Sequence, residues 1–208
     1  MDNRRPLKSR STSWAELVTR FSVSRGFTPN GISKASVVFA TLAGAAFWAN
    51  GFTNGLTSTV LLIVAALGCQ LRLLCNMIDG MVAVEGGKGS PDGPFWNEFP
   101  DRLSDIVIIV GVGYGIGAPS LGWAAATFAV LTAYVRELGV TSGLNADFSG
   151  PMAKPHRMAL ITFAALVSTF EQVWFEKGTI LLVGLWIVLF GSVLTALRRG
   201  RNVVQGLE

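Results

Sequence analysis

Charged residues, histidine and cysteine are all scarce in this sequence. Of its 208 residues, 14% are charged, one is a histidine and two are cysteines. The single histidine, His156, has no partner ligands in its segment, and this argues against a zinc site. Cys69 and Cys75 lie six residues apart in one apolar run, so they would not share a helix face, and we predict reduced packing residues. Any metal site would therefore have to be built from oxygen ligands.

Hydrophobic residues, by contrast, make up half of the chain. A run of about 17 to 25 apolar residues is long enough to span a bilayer as a helix. Six runs qualify, at residues 32–50, 56–78, 102–118, 121–140, 157–175 and 179–197. Because lipid cannot satisfy exposed backbone groups, the sequence predicts an all-α integral membrane protein with six transmembrane helices in one bundle.

Lysine and arginine are distributed unevenly along the chain. Of the 17, only Lys177 falls in the short connections at 51–55, 116–120 and 171–178. The positive-inside rule then places both termini in the cytoplasm, and an even number of spans agrees with this. We predict a multi-pass protein of a bacterial cytoplasmic (inner) membrane. The chain has a net charge of +4, and its lysines and arginines lie beside the apolar spans. This position favours anionic lipids as partners and argues against nucleic acid.

The segment before the first apolar run predicts an amphipathic helix. Ser13 and Glu16 have the spacing of a capping box, and apolar residues then recur at i, i+3, i+4 and i+7. These residues are Trp14, Leu17, Val18 and Phe21. Such a helix is expected to lie in the cytoplasmic interface of the membrane. The alternative is a soluble helix that packs on the loops.

Four glycines stand near the end of the third apolar run and form two overlapping G-x3-G patterns. They are Gly111, Gly113, Gly115 and Gly117. Small residues at this spacing favour close helix packing, and a homodimer contact is an alternative use of the same face.

Acidic and amide side chains lie at the ends of the second and third apolar runs. Asn76, Asp79 and Ala83 are spaced i, i+3, i+7 and would share one helix face, as would Asn97, Asp101 and Asp105. The loop between them holds four glycines and two prolines, so it can turn the chain and bring both faces together. Carboxylates at membrane depth are read as functional. Two rows of oxygen ligands suit Mg2+ or Mn2+.

The same stretch resembles a known family, the CDP-alcohol phosphotransferases, whose motif is D-x2-D-G-x2-A-R-x8-G-x3-D-x3-D. The chain reproduces the spacing without a gap, as Asn76-x2-Asp79-Gly80-x2-Ala83-Val84-x8-Gly93-x3-Asn97-x3-Asp101. Family members similarly enter their first span through a Thr-Pro-Asn element on the side of the site, which Thr28-Pro29-Asn30 matches. The resemblance implies transfer of a phosphatidyl-type group from a CDP-linked lipid to an alcohol, with release of CMP, in a six-helix membrane fold.

The resemblance also implies roles for individual residues. Asp79 would be a metal ligand, and Asp101 would be a ligand and the base that deprotonates the attacking hydroxyl. Asn76 and Asn97 stand at two further ligand positions. Residues where the nucleotide would bind are Thr28, Pro29, Asn30, Gly80, Ala83 and Gly93.

Three positions depart from the family pattern. Asn76 and Asn97 replace aspartates that bridge two metal ions, and Val84 replaces an arginine. Because an amide ligand carries no charge, we expect a single Mg2+ or Mn2+ ion. Asp105 leaves two interpretations open: it is a replacement metal ligand, or it pairs with Arg102, Arg72 or Arg136.

A second polar group surrounds the connection between the fourth and fifth apolar runs. Arg136, Lys154 and Arg157 are expected to donate to an acceptor or lipid phosphate, since arginine suits phosphate recognition. The alternative is that they are ordinary cations at cytoplasmic span ends.

The sequence thus favours a phosphatidyltransferase of phospholipid biosynthesis that uses CDP-diacylglycerol or a similar liponucleotide and an alcohol acceptor. Its expected parts are a cytoplasmic tail and interfacial helix at 1–27, a catalytic membrane domain at 28–200 and a cytoplasmic tail at 201–208. Two alternatives remain: a catalytically impaired member that binds nucleotide-lipid or a partner enzyme, and a small membrane transporter. The transporter is the weakest, because the acids lie near one interface and no paired repeat is evident.

Overall fold

Helices account for nearly all of the regular structure in this chain. The computed structural model describes residues 12–84 and 86–208, and within them no strand occurs. The helices are α1 (Ser13–Ser24), α2 (Pro29–Asn50), α3 (Gly55–Val84), α4 (Gly93–Gly115), α5 (Pro119–Thr141), α6 (Lys154–Ser168) and α7 (Thr179–Leu207), with a 3-10 turn at Glu171–Val173. The prediction of an all-α fold is confirmed.

Three of these helices, α2, α3 and α7, are long and apolar enough to cross a membrane by length and composition. Large apolar side chains project outward from them, among them Leu42, Leu67 and Phe190, which are all more than half exposed. An outward apolar surface of this kind suits contact with lipid. The expectation of six membrane spans stays a prediction, since three helices of the described residues meet the criteria of length and composition.

The helix ends differ from the apolar runs where polar residues continue a helix. α4 begins at Gly93, ahead of the apolar run at 102, and α3 extends to Val84. α7 continues to Leu207, so the expected tail at 201–208 is mostly helical. α6 ends at Ser168, short of the expected 175. The chain turns there because the buried Glu171 carboxylate accepts hydrogen bonds from the backbone N–H groups of Gly178 and Ile180.

The start of α2 shows why the Thr-Pro-Asn element forms a helix end. The Thr28 side chain accepts a hydrogen bond from the backbone N–H of Gly31 at 3.1 Å, and Pro29 is the first helical residue. Both residues are favoured at these positions. The threonine cap accepts a hydrogen bond from a backbone N–H that has no partner within the helix, and proline has no backbone N–H that would need a partner.

Glycines allow α2, α4 and α5 to approach closely. A Cβ on Gly44 would lie 2.5 Å from the carbonyl oxygen of Val107, and one on Gly113 would lie 2.7 Å from the Cα of Gly122. A Cβ on Gly111 would overlap the backbone of Gly44. The expected close packing is therefore confirmed, and it lies within one chain. Cys69 and Cys75 are free thiols, with Cys69 buried in the core.

α1 lies against α3 at the end of the bundle that holds the start of α2. Its buried residues are Ala15, Thr19 and Ser22, whereas Trp14, Leu17 and Phe21 remain about half exposed or more. The helix begins at Ser13, with Thr12 as its N-cap, so the predicted cap at Ser13 is wrong by one residue. Val18, the fourth residue of the predicted stripe, is half-buried and packs against the apolar residues of α3, so three of the four stripe residues are exposed.

Candidate functional site

A cavity of about 570 Å³ lies where the ends of α3 and α5 meet the starts of α2, α4 and α6. Nearly every candidate site residue of the sequence lines it: Pro29, Asn30, Asn76, Asp79, Gly80, Ala83, Gly93, Asn97, Asp101, Arg136, Lys154 and Arg157. Thr28 lies beside it as the cap of α2, and Asp105 lies behind its wall. The fold therefore joins the two polar groups of the sequence in one place.

Asp79 is the carboxylate of α3 in this cavity. It is 4% exposed, and its Oδ2 accepts a hydrogen bond from Ser33 Oγ of α2 at 2.6 Å. Its Oδ1 is buried and has no hydrogen-bond partner. A buried carboxylate oxygen without a partner is costly, so a bound cation or donor group would stabilise it. Ser33 was given no role from the sequence, although it stands one helical turn after Pro29.

Asp101 of α4 is held from three sides. Asn76 donates to its Oδ1 and Lys154 to its Oδ2. The Arg72 guanidinium lies 3.4 Å from Oδ1 and donates to the backbone carbonyl of Asp101 at 3.1 Å. Both carboxylate oxygens are therefore engaged by groups of the protein itself.

Asp105 is completely buried and does not face the cavity. Arg72 donates to its Oδ1 at 2.9 Å, and Arg157 donates to its Oδ2 at 2.6 Å. Because both oxygens are occupied, we correct the expectation of a metal-ligand role: this carboxylate is the partner of two arginines. The pairing with Arg72 is confirmed, whereas Arg102 and Arg136 both pair with Glu98 instead.

Asn97 also departs from the expected row of ligands. Its side chain lines the cavity in an exposed position and donates to the neighbouring Glu98 carboxylate at 3.4 Å. The face of Asn97, Asp101 and Asp105 thus runs from the cavity mouth into the bundle, because one helix turn separates each residue from the next.

Arginines form the opposite wall of the cavity. Arg157 donates to the carbonyl of Met152 at 2.7 Å as well as to Asp105. Arg199 of α7 donates to the carbonyls of Ser149 and Thr132 at 2.9 and 2.8 Å. These bonds secure the connection between α5 and α6 over the cavity. No local pattern in the sequence separates Arg199 from its neighbouring cations, since its role depends on that connection.

Arg136 lies at the same wall. It pairs with Glu98 and Glu137, and its guanidinium lies 5.3 Å from the centroid of the Phe148 ring. The three cations expected to bind phosphate therefore all reach the cavity, each with a partner in the protein.

Asn30 connects the start of α2 to the loop before α4. Its Nδ2 lies 3.2 Å from both carboxylate oxygens of Asp92, and Trp96 donates to the same carboxylate at 2.9 Å. Hydrogen bonds from Ser90 and then from Asn30 lower the pKa of Asp92. This network positions Gly93, the first residue of α4, beside Asn30 at the cavity mouth.

The cavity offers oxygen donors to a cation, with few carboxylates among them. Among the described residues, no group of three or more histidine, cysteine, aspartate or glutamate side chains could hold a metal ion. The unpaired oxygen of Asp79 and the amide oxygens of Asn76 and Asn97, which line the same cavity, are of the oxygen type that a hard divalent ion takes as ligands.

Comparison with known proteins agrees with the resemblance found in the sequence. No family model matches the chain. Phosphatidylinositol phosphate synthase of Mycolicibacterium smegmatis is 29% identical over 134 residues, which are 61% of this chain and 59% of that protein. The enzyme of the same name from Mycobacterium tuberculosis is 29% identical over 138 residues, 63% of this chain and 62% of that protein. The matches thus span less than two thirds of these relatives.

Solved structures of the Mycobacterium tuberculosis enzyme share the fold. The complex with manganese and citrate has a TM-score of 0.74 at 22% identity, covering 90% of this chain and 88% of that chain. The structure with CDP-DAG bound has the same TM-score and identity, with 90% and 92% covered. The resemblance to the CDP-alcohol phosphotransferases is confirmed by these relatives.

Proposed function

We propose that this protein transfers a phosphatidyl-type group from CDP-diacylglycerol, or a similar liponucleotide, to an alcohol and releases CMP in phospholipid biosynthesis. The observation that carries the proposal is the cavity, which assembles the ungapped motif around Asp79 and Asp101 and faces it with a wall of arginines. The relatives named phosphatidylinositol phosphate synthase and the solved structure with CDP-DAG support the donor.

Asp79 is the residue that we propose to hold the divalent cation. Its unpaired Oδ1 supplies an anionic ligand, and Ser33 orients the carboxylate through Oδ2. Bound Mg2+ or Mn2+ would offset charge on the diphosphate oxygens and on the leaving CMP. A solved relative that contains manganese supports a divalent ion.

The nucleotide is proposed to bind between the start of α2 and the small residues of the motif. Gly80, Ala83 and Gly93 line the cavity without bulky side chains, so a ribose or base can approach the backbone there. Pro29 and Asn30 close the same side, while Thr28 contributes by capping α2.

The acceptor alcohol is proposed to bind between Asp101 and the arginine wall. A general base must lie within hydrogen-bond reach of the hydroxyl that it deprotonates. Asn76 and Lys154 each donate to one Asp101 oxygen, so the hydroxyl would bind beside them or replace the Lys154 ammonium group, whose side chain is 27% exposed. An acceptor that carries a phosphate group would suit Arg136 and Arg157.

The membrane arrangement is part of the proposal. Helices α2 to α7 would form six spans, with both termini and the cavity on the cytoplasmic side of a bacterial inner membrane. The long apolar α2, α3 and α7 support it, as does the exposed apolar stripe of α1. Residues 28–200 would then be the catalytic domain, preceded by the cytoplasmic tail and interfacial helix at 1–27 and followed by the cytoplasmic tail at 201–208.

One observation favours a second function, that of a catalytically impaired member which binds nucleotide-lipid. Both oxygens of Asp101 are held by side chains of the protein, and the motif lacks two carboxylates. A hydroxyl that binds to Asp101 would have to compete with these donors.

Measurement of CMP release from CDP-diacylglycerol decides between the two functions. Purified protein with Mn2+ would be screened over candidate alcohols, including phosphorylated ones. We expect release in the wild type, none in Asp79→Ala, and wild-type rates in Glu176→Ala, an exposed control at the other end of the molecule. Binding of CDP-diacylglycerol without CMP release from any acceptor would establish the impaired member instead.

A further inference from the structure

Lys154 differs from the other lysines that the structure describes. Its ammonium group forms an ion pair with Asp101 Oδ2 inside the cavity. Lys34 lies over the Trp96 ring at 4.5 Å, and Lys88 and Lys177 donate to backbone carbonyls. Within residues 12–84 and 86–208, Lys154 is therefore the one lysine paired with a carboxylate.

The two carboxylates of the motif differ in charge compensation. Asp101 contacts Lys154, and Arg72 lies 3.4 Å from its Oδ1. Asp79 contacts the neutral Ser33 hydroxyl and has a buried oxygen without any partner. Asp101 thus has two cations within 4 Å, whereas Asp79 forms no ion pair at that distance with any residue that the structure describes.

We propose that Lys154 is a built-in counter-cation of Asp101 which limits the cavity to one divalent ion, held at Asp79. The inference deepens the proposed metal-dependent transfer and rests on it for its role in the reaction. With Lys154 in place, a second dication near Asp101 would meet a like charge and an occupied carboxylate oxygen. Without Lys154, Oδ2 becomes free and Asp101 can supply a second anionic ligand.

Arg72 cannot take over this function. Its side chain is completely buried, and the same NH2 group that lies near Asp101 donates to Asp105 at 2.9 Å. It balances charge from behind the cavity wall, whereas Lys154 approaches from the cavity itself. The number of bound ions should therefore depend on Lys154.

Titration of the purified full-length protein with Mn2+ tests the proposal without any catalytic readout. Calorimetry would count tightly bound ions in the wild type, Lys154→Met and Lys154→Arg. We expect one ion in the wild type, two in Lys154→Met, and one in Lys154→Arg, where the positive charge is kept. Lys88→Met, which removes a lysine bonded only to carbonyls, is the matched control and should bind one ion.

A charge-neutral double variant provides an independent check. Asp101→Asn combined with Lys154→Met removes both members of the ion pair, and we expect it still to bind one Mn2+ ion, at Asp79. Two tightly bound ions in the wild type would overturn the proposal even if Lys154→Met did not fold. So would a folded Lys154→Met protein that binds only one ion, or loss of Mn2+ binding in the double variant.

CMP release separates this inference from the proposed function. If wild-type protein releases CMP but Lys154→Met gains no ion, the counter-cation is refuted and the transfer reaction stands. If Lys154→Met gains a second ion but no protein releases CMP, the counter-cation stands and the reaction is refuted.

Discussion

Replacement of Asp105 by asparagine is expected to destabilise the fold rather than weaken metal binding. The carboxylate lies between the Arg72 and Arg157 guanidinium groups, and all three side chains are at most 1% exposed. An asparagine amide nitrogen cannot accept a hydrogen bond, so one guanidinium would face a donor. Arg157 would lose its buried counter-charge, and Arg72 would keep only the Asp101 carboxylate at 3.4 Å. Breaking a buried ion pair by removing one partner costs about 3–5 kcal/mol.

Thermal unfolding in detergent measures this effect. For a chain of this length, 1 kcal/mol corresponds to roughly 2–4 °C in the unfolding midpoint, so the loss for Asp105→Asn should be on the order of 10 °C. Asp92→Asn is the control, because that carboxylate is exposed and bonded to neutral donors, and it should stay within about 2 °C of the wild type. A midpoint like that of the wild type, together with loss of Mn2+ binding, would refute the structural role and restore Asp105 as a ligand.

Three further predictions concern the metal site, the helix packing and the topology. Asn76→Asp with Asn97→Asp should raise Mg2+ or Mn2+ affinity in calorimetry, because hard cations prefer anionic oxygen ligands, and an unchanged affinity would count against the ligand positions. Gly111→Val should lower stability by about 1–3 kcal/mol through overlap with α2, whereas Gly200→Ala, where nothing lies within 4 Å, should be neutral or slightly stabilising in the same thermal assay. Lys177→Cys should react with a membrane-impermeant maleimide only from outside the cell; labelling from the cytoplasmic side would contradict the six-span topology.

Periodicity and spacing were sufficient for the helices and for part of the site. Apolar runs predicted the helices that became α2 to α7, because burial in a bundle or in lipid selects the same residues. The spacing of Asn76 and Asp79 predicted a shared helix face, and both line the cavity. Helix ends were missed where polar residues continue a helix, as at the start of α4, because an apolar run does not record them.

Only the tertiary structure decided which charges meet. Asp105 had several candidate partners in the sequence, and the bundle pairs it with Arg72 and Arg157, which come from α3 and α6. Lys154 was expected to face a phosphate, and the fold places its ammonium group on Asp101, 53 residues away. Local sequence determines a helix and its faces through neighbouring residues, whereas an ion pair between helices depends on how whole helices rotate and pack. That packing left one oxygen of Asp79 without a hydrogen-bond partner, and this is the place that we propose for a cation.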